Sequence, residues 1–171
     1  NYGEPIIFTV EIKLTEEQLY DYMYCPAYFD MKYIKQLDID ERVTMPRLLE
    51  KISKYFYFQL FNNKIASPDE LKKRWDTICN NNQDFITPQK NIEGIGLILK
   101  MFNWAAREKL LVLDISTPYK ITVQNVELSG HIPVIIGTQD KNYEILFTNF
   151  SNRIPDQRQV DMSLKYTLSS Y

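Results

Sequence analysis

Histidine is nearly missing from this chain. A single residue, His131, occurs among 171, so no site that needs several imidazoles can be built. No strained Gly-x-Ser-x-Gly turn accompanies it, which argues against a Ser-His-Asp hydrolase. Cysteine is almost as scarce. Cys25 and Cys79 are too few for a disulfide framework, and their spacing matches no zinc motif. That usage leads us to expect a reducing, intracellular, cytoplasmic setting. No apolar run approaches the roughly 18 residues of a membrane span, and no membrane partner is expected. The apolar stretch Pro5–Val10 is too short for the h-region of a secretory signal. A strong excess of one charge is absent too. The net charge of −2 lacks the basic character typical of nucleic-acid binders.

What remains is an ordinary globular composition. Hydrophobic residues make up 44% and charged residues 25%, enough for a packed core. The length suits a single domain over 1–171. The first residue is Asn, so the chain is expected to be a piece of a longer protein. Its charge is unevenly spread: Lys32–Arg74 holds ten Lys and Arg against six Asp and Glu. The plain reading is a set of solvated helix faces. The functional reading is a phosphate-facing patch, with Lys51, Lys54, Lys72, Lys73 and Arg74 as its candidate contacts.

Periodicity divides the chain into elements. Ile6–Leu14 alternates at period two and reads as a strand. Thr15-Glu16-Glu17-Gln18 is a capping box opening a helix over Thr15–Lys35, interrupted at Cys25-Pro26. Leu48, Leu49, Ile52, Tyr55, Phe56 and Leu60 give Pro46–Phe61 one broad apolar face. Ser67-Pro68-Asp69-Glu70 reads as a second capping box before Pro68–Cys79. Thr87-Pro88 opens Pro88–Lys109, in which Gly94 and Gly96 either weaken the helix or admit a close neighbour. They follow no strand and lack a third glycine, so they are no dinucleotide fingerprint. Leu110–Ile115 either ends that helix or starts a strand, and Tyr119–Leu128 reads as a strand beyond Pro118. Gln159–Tyr171 fits a short amphipathic helix.

The stretch Val126–Ser151 organises the rest. Ile132, Val134 and Ile136 alternate, as do Tyr143, Ile145 and Phe147, and Gly137, Asp140, Lys141 and Asn142 supply turn chemistry between them. The expected fold is therefore α/β or α+β: a small mixed sheet with a central hairpin, flanked by helices.

Gly130-His131-Ile132-Pro133 followed by Phe147-Thr148-Asn149 resembles the catalytic hairpin of the PD-(D/E)XK nuclease superfamily, in its RecB-like branch. Tyr22-Met23-Tyr24-Cys25-Pro26-Ala27-Tyr28-Phe29 resembles the Tyr- and Cys-Pro-containing helix near the start of that branch, which includes AddB-type and CRISPR-associated exonucleases. The resemblance implies a restriction-endonuclease-like fold. It also implies nucleic-acid processing in a phage or bacterial setting, as part of a larger machine. In some members a cysteine at this point helps hold an iron–sulfur cluster. Four thiolates are required, so the count of two excludes a complete one here and leaves Cys25 as a small buried hydrophobe.

The resemblance also implies polar groups that this sequence has replaced. Leu49 stands at the position implied for a metal-binding histidine, Pro133 for the first aspartate, and Phe147 for the second carboxylate. Asn149 stands for the lysine, and Met162 for a glutamine in the Gln-x-x-x-Tyr helix. Such nucleases use divalent cations to polarise phosphate and activate water, and those hard ions need oxygen ligands. Four of the five positions are apolar, and the site reads as filled in as core.

Relocated carboxylates keep an active enzyme using Mg2+ or Mn2+ open. Glu127 is the one candidate, since Asp140 reads as turn chemistry and Glu144 points away. His131 reads as an ordinary strand residue. Three readings follow. The first is a non-catalytic nuclease-like module, without cofactor or metal, that binds DNA or RNA or scaffolds a replication, recombination or transcription machine. The second is an active metal-dependent exonuclease, and the third is a pure protein-interaction domain. Tyr20, Tyr22, Tyr24, Tyr28 and Tyr33 could stack on unpaired bases, or pack as a helix pair with phenols at the rim.

Overall fold

A computed structural model describes residues 11–39, 42–137, 142–148 and 150. It is mixed α and β, as expected from the patterning. The order is β1 (Ile12–Thr15), α1 (Glu16–Tyr24), α2 (Pro26–Phe29), a π-helical turn (Asp30–Ile34), α3 (Met45–Phe61), α4 (Pro68–Asn80), α5 (Pro88–Arg107), β2 (Leu111–Val123), β3 (Val126–Gly137) and β4 (Tyr143–Ile145). Two compact units result. One holds the described residues of 1–40 and 118–131, the other those of 41–117 and 132–160. The predicted tail helix and most of the predicted first strand lie outside the described residues. No helix among those described is long and apolar enough to cross a membrane.

The four strands form one sheet in which β3 pairs with each of the others. β1 runs parallel to β3, with Ile12 opposite Val126 and Thr15 opposite Ser129. β4 runs antiparallel, with Ile135 opposite Ile145 and Gly137 opposite Tyr143, so the two strands pair, but the second ends at Ile145, short of Phe147.

Tyr119–Leu128 is no single strand: a two-residue turn at Gln124-Asn125 separates β2 from β3. Gln124 takes up the left-handed conformation there (φ 55°). The usual Asn-Gly signature of such a turn is absent, which is why the sequence pattern ran through it. Leu111 begins β2, which settles the open Leu110–Ile115 stretch as strand. Pro118 does not interrupt β2. The chain is instead irregular just before it, at Ser116 (φ 51°), where Asp114 accepts hydrogen bonds from Ile115 N and Thr117 Oγ1, both at 2.8 Å.

Local capping is as the side chains dictate. Thr15 accepts from Gln18 N at 3.1 Å, and Thr15 N donates to Gln18 Oε1 at 2.9 Å, completing the box. The second box is half formed. Ser67 Oγ accepts from Glu70 N at 3.2 Å, but the Glu70 carboxylate accepts from the Tyr55 hydroxyl instead of reaching back. A charged acceptor gains more from a phenol donor held on a neighbouring helix than from an exposed amide that water already serves.

Burial is concentrated in the second unit. Leu48, Leu49, Ile52, Phe56 and Tyr57 of α3 meet Leu71 and Trp75 of α4, Ile98, Met101 and Ala105 of α5, and Val134 and Ile136 of β3 in one cluster. Each such side chain contributes on the order of 1.5–3 kcal/mol by leaving water. Trp75 is the centre of the α4–α5 contact. It is fully buried, and its Nε1 donates to Asn91 Oδ1 at 2.8 Å. Of the two α5 glycines, Gly94 is the close approach. A Cβ there would lie 2.6 Å from Trp75 Cε2 and nearer still to Cζ2, whereas nothing lies within 4 Å of one at Gly96.

Candidate functional site

The positions singled out by the nuclease resemblance do not behave as a group. Leu49 is completely buried on α3. On β3 the alternation turns Ile132, Val134 and Ile136 inward, and the same alternation turns His131 and Pro133 outward. Phe147, just past β4, is 40% exposed. Leu49 is core, but Pro133 and Phe147 are not: strand parity turns Pro133 outward, and Phe147 lies beyond the end of β4. Asn149 and Met162 lie outside the described residues, as does Asp140.

What α3 does hold at the end of the hairpin is a hydroxyl pair: Thr148 Oγ1 donates to the Tyr57 hydroxyl oxygen at 3.1 Å. Burial pushes the Tyr57 hydroxyl above its ordinary range.

A divalent cation does not fit these residues. An alkyl group, a pyrrolidine ring and a phenyl ring supply no oxygen to a hard ion. Among the described residues no three of His, Cys, Asp and Glu come together as a metal-holding group. Glu127 is tied down: Lys120 Nζ lies 3.1 Å from its Oε1, and its side chain is 17% exposed.

Beside it in the first unit is a feature that strand periodicity alone could not indicate. Gly130, the glycine of the resembling motif, faces Glu16 and Tyr119. A Cβ at Gly130 would meet Glu16 Oε2 at 2.6 Å and Tyr119 Oη at 2.7 Å. The Tyr119 hydroxyl is buried and has no hydrogen-bond partner among the described residues. The Glu16 carboxylate is near enough to act on it by its charge. Burial first, then that carboxylate, pushes the Tyr119 hydroxyl up from 10.0 to about 12.

The sign of the linkage follows. Below pH 10 the hydroxyl is neutral in both folded and unfolded chains, and stability is unaffected. Between 10 and 12 the unfolded chain gives up the proton while the folded chain keeps it, so stability falls as pH rises. Denaturant unfolding at pH 9 and pH 11.5 is expected to show a larger loss for the wild type than for Tyr119→Phe. Equal losses would remove this tyrosine from the account, since the other raised tyrosines are common to both proteins.

Cys25, expected to be buried, is only half-buried, as is Cys79. Cys25 lies at the junction of α1 and α2, where the extended backbone required before Pro26 keeps it out of a helix face. Burial, and then the charge of Asp76, push the Cys79 thiol up, away from the reactive thiolate range.

The basic candidates are sorted by helix geometry. Lys51 and Arg74 line one cleft of about 220 Å³ between α3 and α4, with Ile52, Tyr55, Thr77 and Ile78. Residues 51, 52 and 55 recur on one side of α3, and 74, 77 and 78 on one side of α4, by the three-and-four spacing of a helix. The Arg74 guanidinium carbon lies 3.4 Å from the Tyr55 ring centroid, a cation–π stack that fixes its plane. The Glu70 carboxylate, by accepting from it, raises the Tyr55 hydroxyl above its ordinary range. Lys54 does not join the cleft. It pairs with Glu50 at 2.8 Å one turn away, the exposed i,i+4 pair that is worth little. Lys72 and Lys73 are exposed on α4 and do not line it. Sequence reasoning grouped all five by charge. It missed Tyr55 and Thr77, whose only signal was helical register with Lys51 and Arg74.

Compared with known proteins, the chain matches no family model and no curated sequence.

Proposed function

We propose that this chain is a nuclease-like module that binds nucleic acid without cutting it, within a larger replication, recombination or transcription machine. The observation that carries this reading is the α3–α4 cleft, which Lys51 and Arg74 line together with Tyr55 and Thr77. An ammonium and a stacked guanidinium suit a phosphate, which takes Arg through paired N–H groups and Lys as a point charge. Glu50 and Glu70 are engaged by Lys54 and Tyr55, and Asp76 lies two residues from Arg74. Lys72 and Lys73 on the same helix add diffuse attraction to a polyanion. The resembling hairpin carries Pro133 and Phe147 where cleavage would need carboxylates, and this supports binding over catalysis.

The test is a salt titration of binding to a fluorescent single-stranded or duplex oligonucleotide. Affinity is expected to fall steeply with salt, with a log–log slope near −0.9 per phosphate engaged on duplex. The double reversal Lys51→Glu/Arg74→Glu should weaken binding about a hundredfold and flatten the slope by roughly two phosphate contacts. Binding that ignores salt, or survives the reversal unchanged, would defeat the reading. Cleavage with Mg2+ or Mn2+ that Glu127→Ala abolishes would replace it with the active nuclease.

A further inference from the structure

The α3–α4 cleft is lined by more than charge. Ile52 and Ile78 stand in it with Lys51, Tyr55, Arg74 and Thr77. Ile52 is buried and Ile78 half-buried, so part of the wall is apolar. A phosphate gains nothing from such a wall, because a charge needs donors or water around it. The flat face of a nucleobase does gain from it.

Arg74 supplies a flat surface. Its guanidinium carbon lies 3.4 Å from the Tyr55 ring centroid, about the contact distance of two carbon atoms. That distance is reached only with the guanidinium lying flat, since a tilt would drive a nitrogen into the ring. One face of the guanidinium is therefore covered by Tyr55. The residue is exposed as a whole, which leaves the opposite face open. The neighbouring acids are occupied elsewhere. Glu70 accepts from the Tyr55 hydroxyl, Glu50 holds Lys54, and Asp76 acts on Cys79, two residues from Arg74 and so on another side of α4.

Size sets what can reach the open face. The cleft holds about 220 Å³, below the roughly 300–1,000 Å³ of sites that take drug-sized ligands. Packed helices stand only about 8–10 Å apart. One small planar group fits such a space, and a base pair with its two backbones does not. In a duplex each base face is also covered by its neighbours, and freeing one costs both stacking and pairing. The tyrosine-rich α1 offers no second seat of this kind between its rings: Tyr20 and Tyr24 stack with centroids 6.5 Å apart, too close for a base to enter.

We propose that the α3–α4 cleft selects single-stranded nucleic acid. One unpaired base stacks on the open face of the Arg74 guanidinium, against Ile52 and Ile78, and Lys51 meets an adjoining phosphate. This rests on the nucleic-acid reading above and narrows it. Tyr55 is the backing that holds the guanidinium plane, itself fixed through Glu70. Every base has a face to stack, so no sequence preference is expected.

The full chain is titrated, at one salt concentration, with three labelled oligonucleotides of equal length: a single strand, the same strand in a duplex, and a single strand of abasic sites. Electrostatics alone favours the duplex, whose counterion release per phosphate is the larger. The intact strand should nevertheless bind about tenfold more tightly than either of the others, the size expected of one stacked base. Arg74→Lys keeps the charge and removes the plane. It should erase the advantage over the abasic strand and leave the salt slope unchanged. The wild-type comparison needs no variant, so a folding defect in Arg74→Lys cannot mask the result. An abasic strand that binds as well as the intact one, a duplex that binds more tightly, or an advantage that survives Arg74→Lys overturns this inference and leaves the broader reading standing. Absence of salt-dependent binding to all three overturns both.

Discussion

Gly94→Ala is expected to destabilise the protein by about 3 kcal/mol, at the upper end of overpacking costs in a close-packed core. A Cβ at position 94 would enter the Trp75 ring, 2.6 Å from Cε2. Flexible side-chain tips yield cheaply, but this ring does not. Trp75 is fully buried, and its Nε1 is fixed by Asn91 Oδ1, one turn before Gly94 on the same helix. Moving the indole away would strand a buried donor, which costs a further 1–3 kcal/mol or so. The α4–α5 contact must therefore open or strain.

Gly96→Ala is the matched control. It adds the same methyl to the same helix, two residues on, into open space, and should stabilise by somewhat under 1 kcal/mol through helix propensity. Guanidinium unfolding of the two variants should move in opposite directions. Two shifts of the same sign would mean that the indole does not press on the α5 backbone.

The second large effect concerns the positions that the nuclease resemblance had grouped. Leu49→Ala should cost about 3 kcal/mol, as for a leucine whose removal leaves a cavity among packed neighbours. Its side chain is completely buried, with Leu48, Ile52 and Phe56 of the same helix also in the core. Phe147→Ala should cost under about 1 kcal/mol, because the ring is 40% exposed and surface changes are generally small. Pro133 is exposed on β3, so Pro133→Asp should be tolerated in the same range. Thermal unfolding of the three single variants decides the matter. A Phe147→Ala cost matching that of Leu49→Ala would restore the picture of one site uniformly converted to core. If the split is as expected, Leu49 belongs to the packed core and the two hairpin positions do not.

The fold was legible where physics is local. The Thr15–Gln18 box formed because its donors and acceptors lie within one turn of each other. The α3 face formed because apolar residues at helical spacing have nowhere else to go. β3 and β4 pair where alternating residues on two nearby segments fall into register. The break at Gln124-Asn125 was illegible, since a glutamine in the left-handed region has no composition signal to announce it. Pro118 misled in the opposite direction.

The candidate site was legible only as an inventory. The sequence supplied five basic side chains and the five positions that the nuclease resemblance singled out. Register along two different helices placed Lys51 and Arg74 around Tyr55, and left Lys54 to Glu50.

By itself the sequence determined the types of most elements, the apolar faces, and the lack of histidine and cysteine for any cluster of such ligands. It also determined that proline and phenylalanine occupy the hairpin where oxygen ligands are implied. Only the tertiary structure decided that Phe147 lies past the end of β4, 40% exposed. It alone brought Thr148 to Tyr57 across 91 residues, and set Glu16 and Tyr119 over Gly130. The reason is that backbone periodicity assigns a residue to a face, whereas contacts between distant segments depend on how whole elements pack. That packing is a property of all their side chains at once.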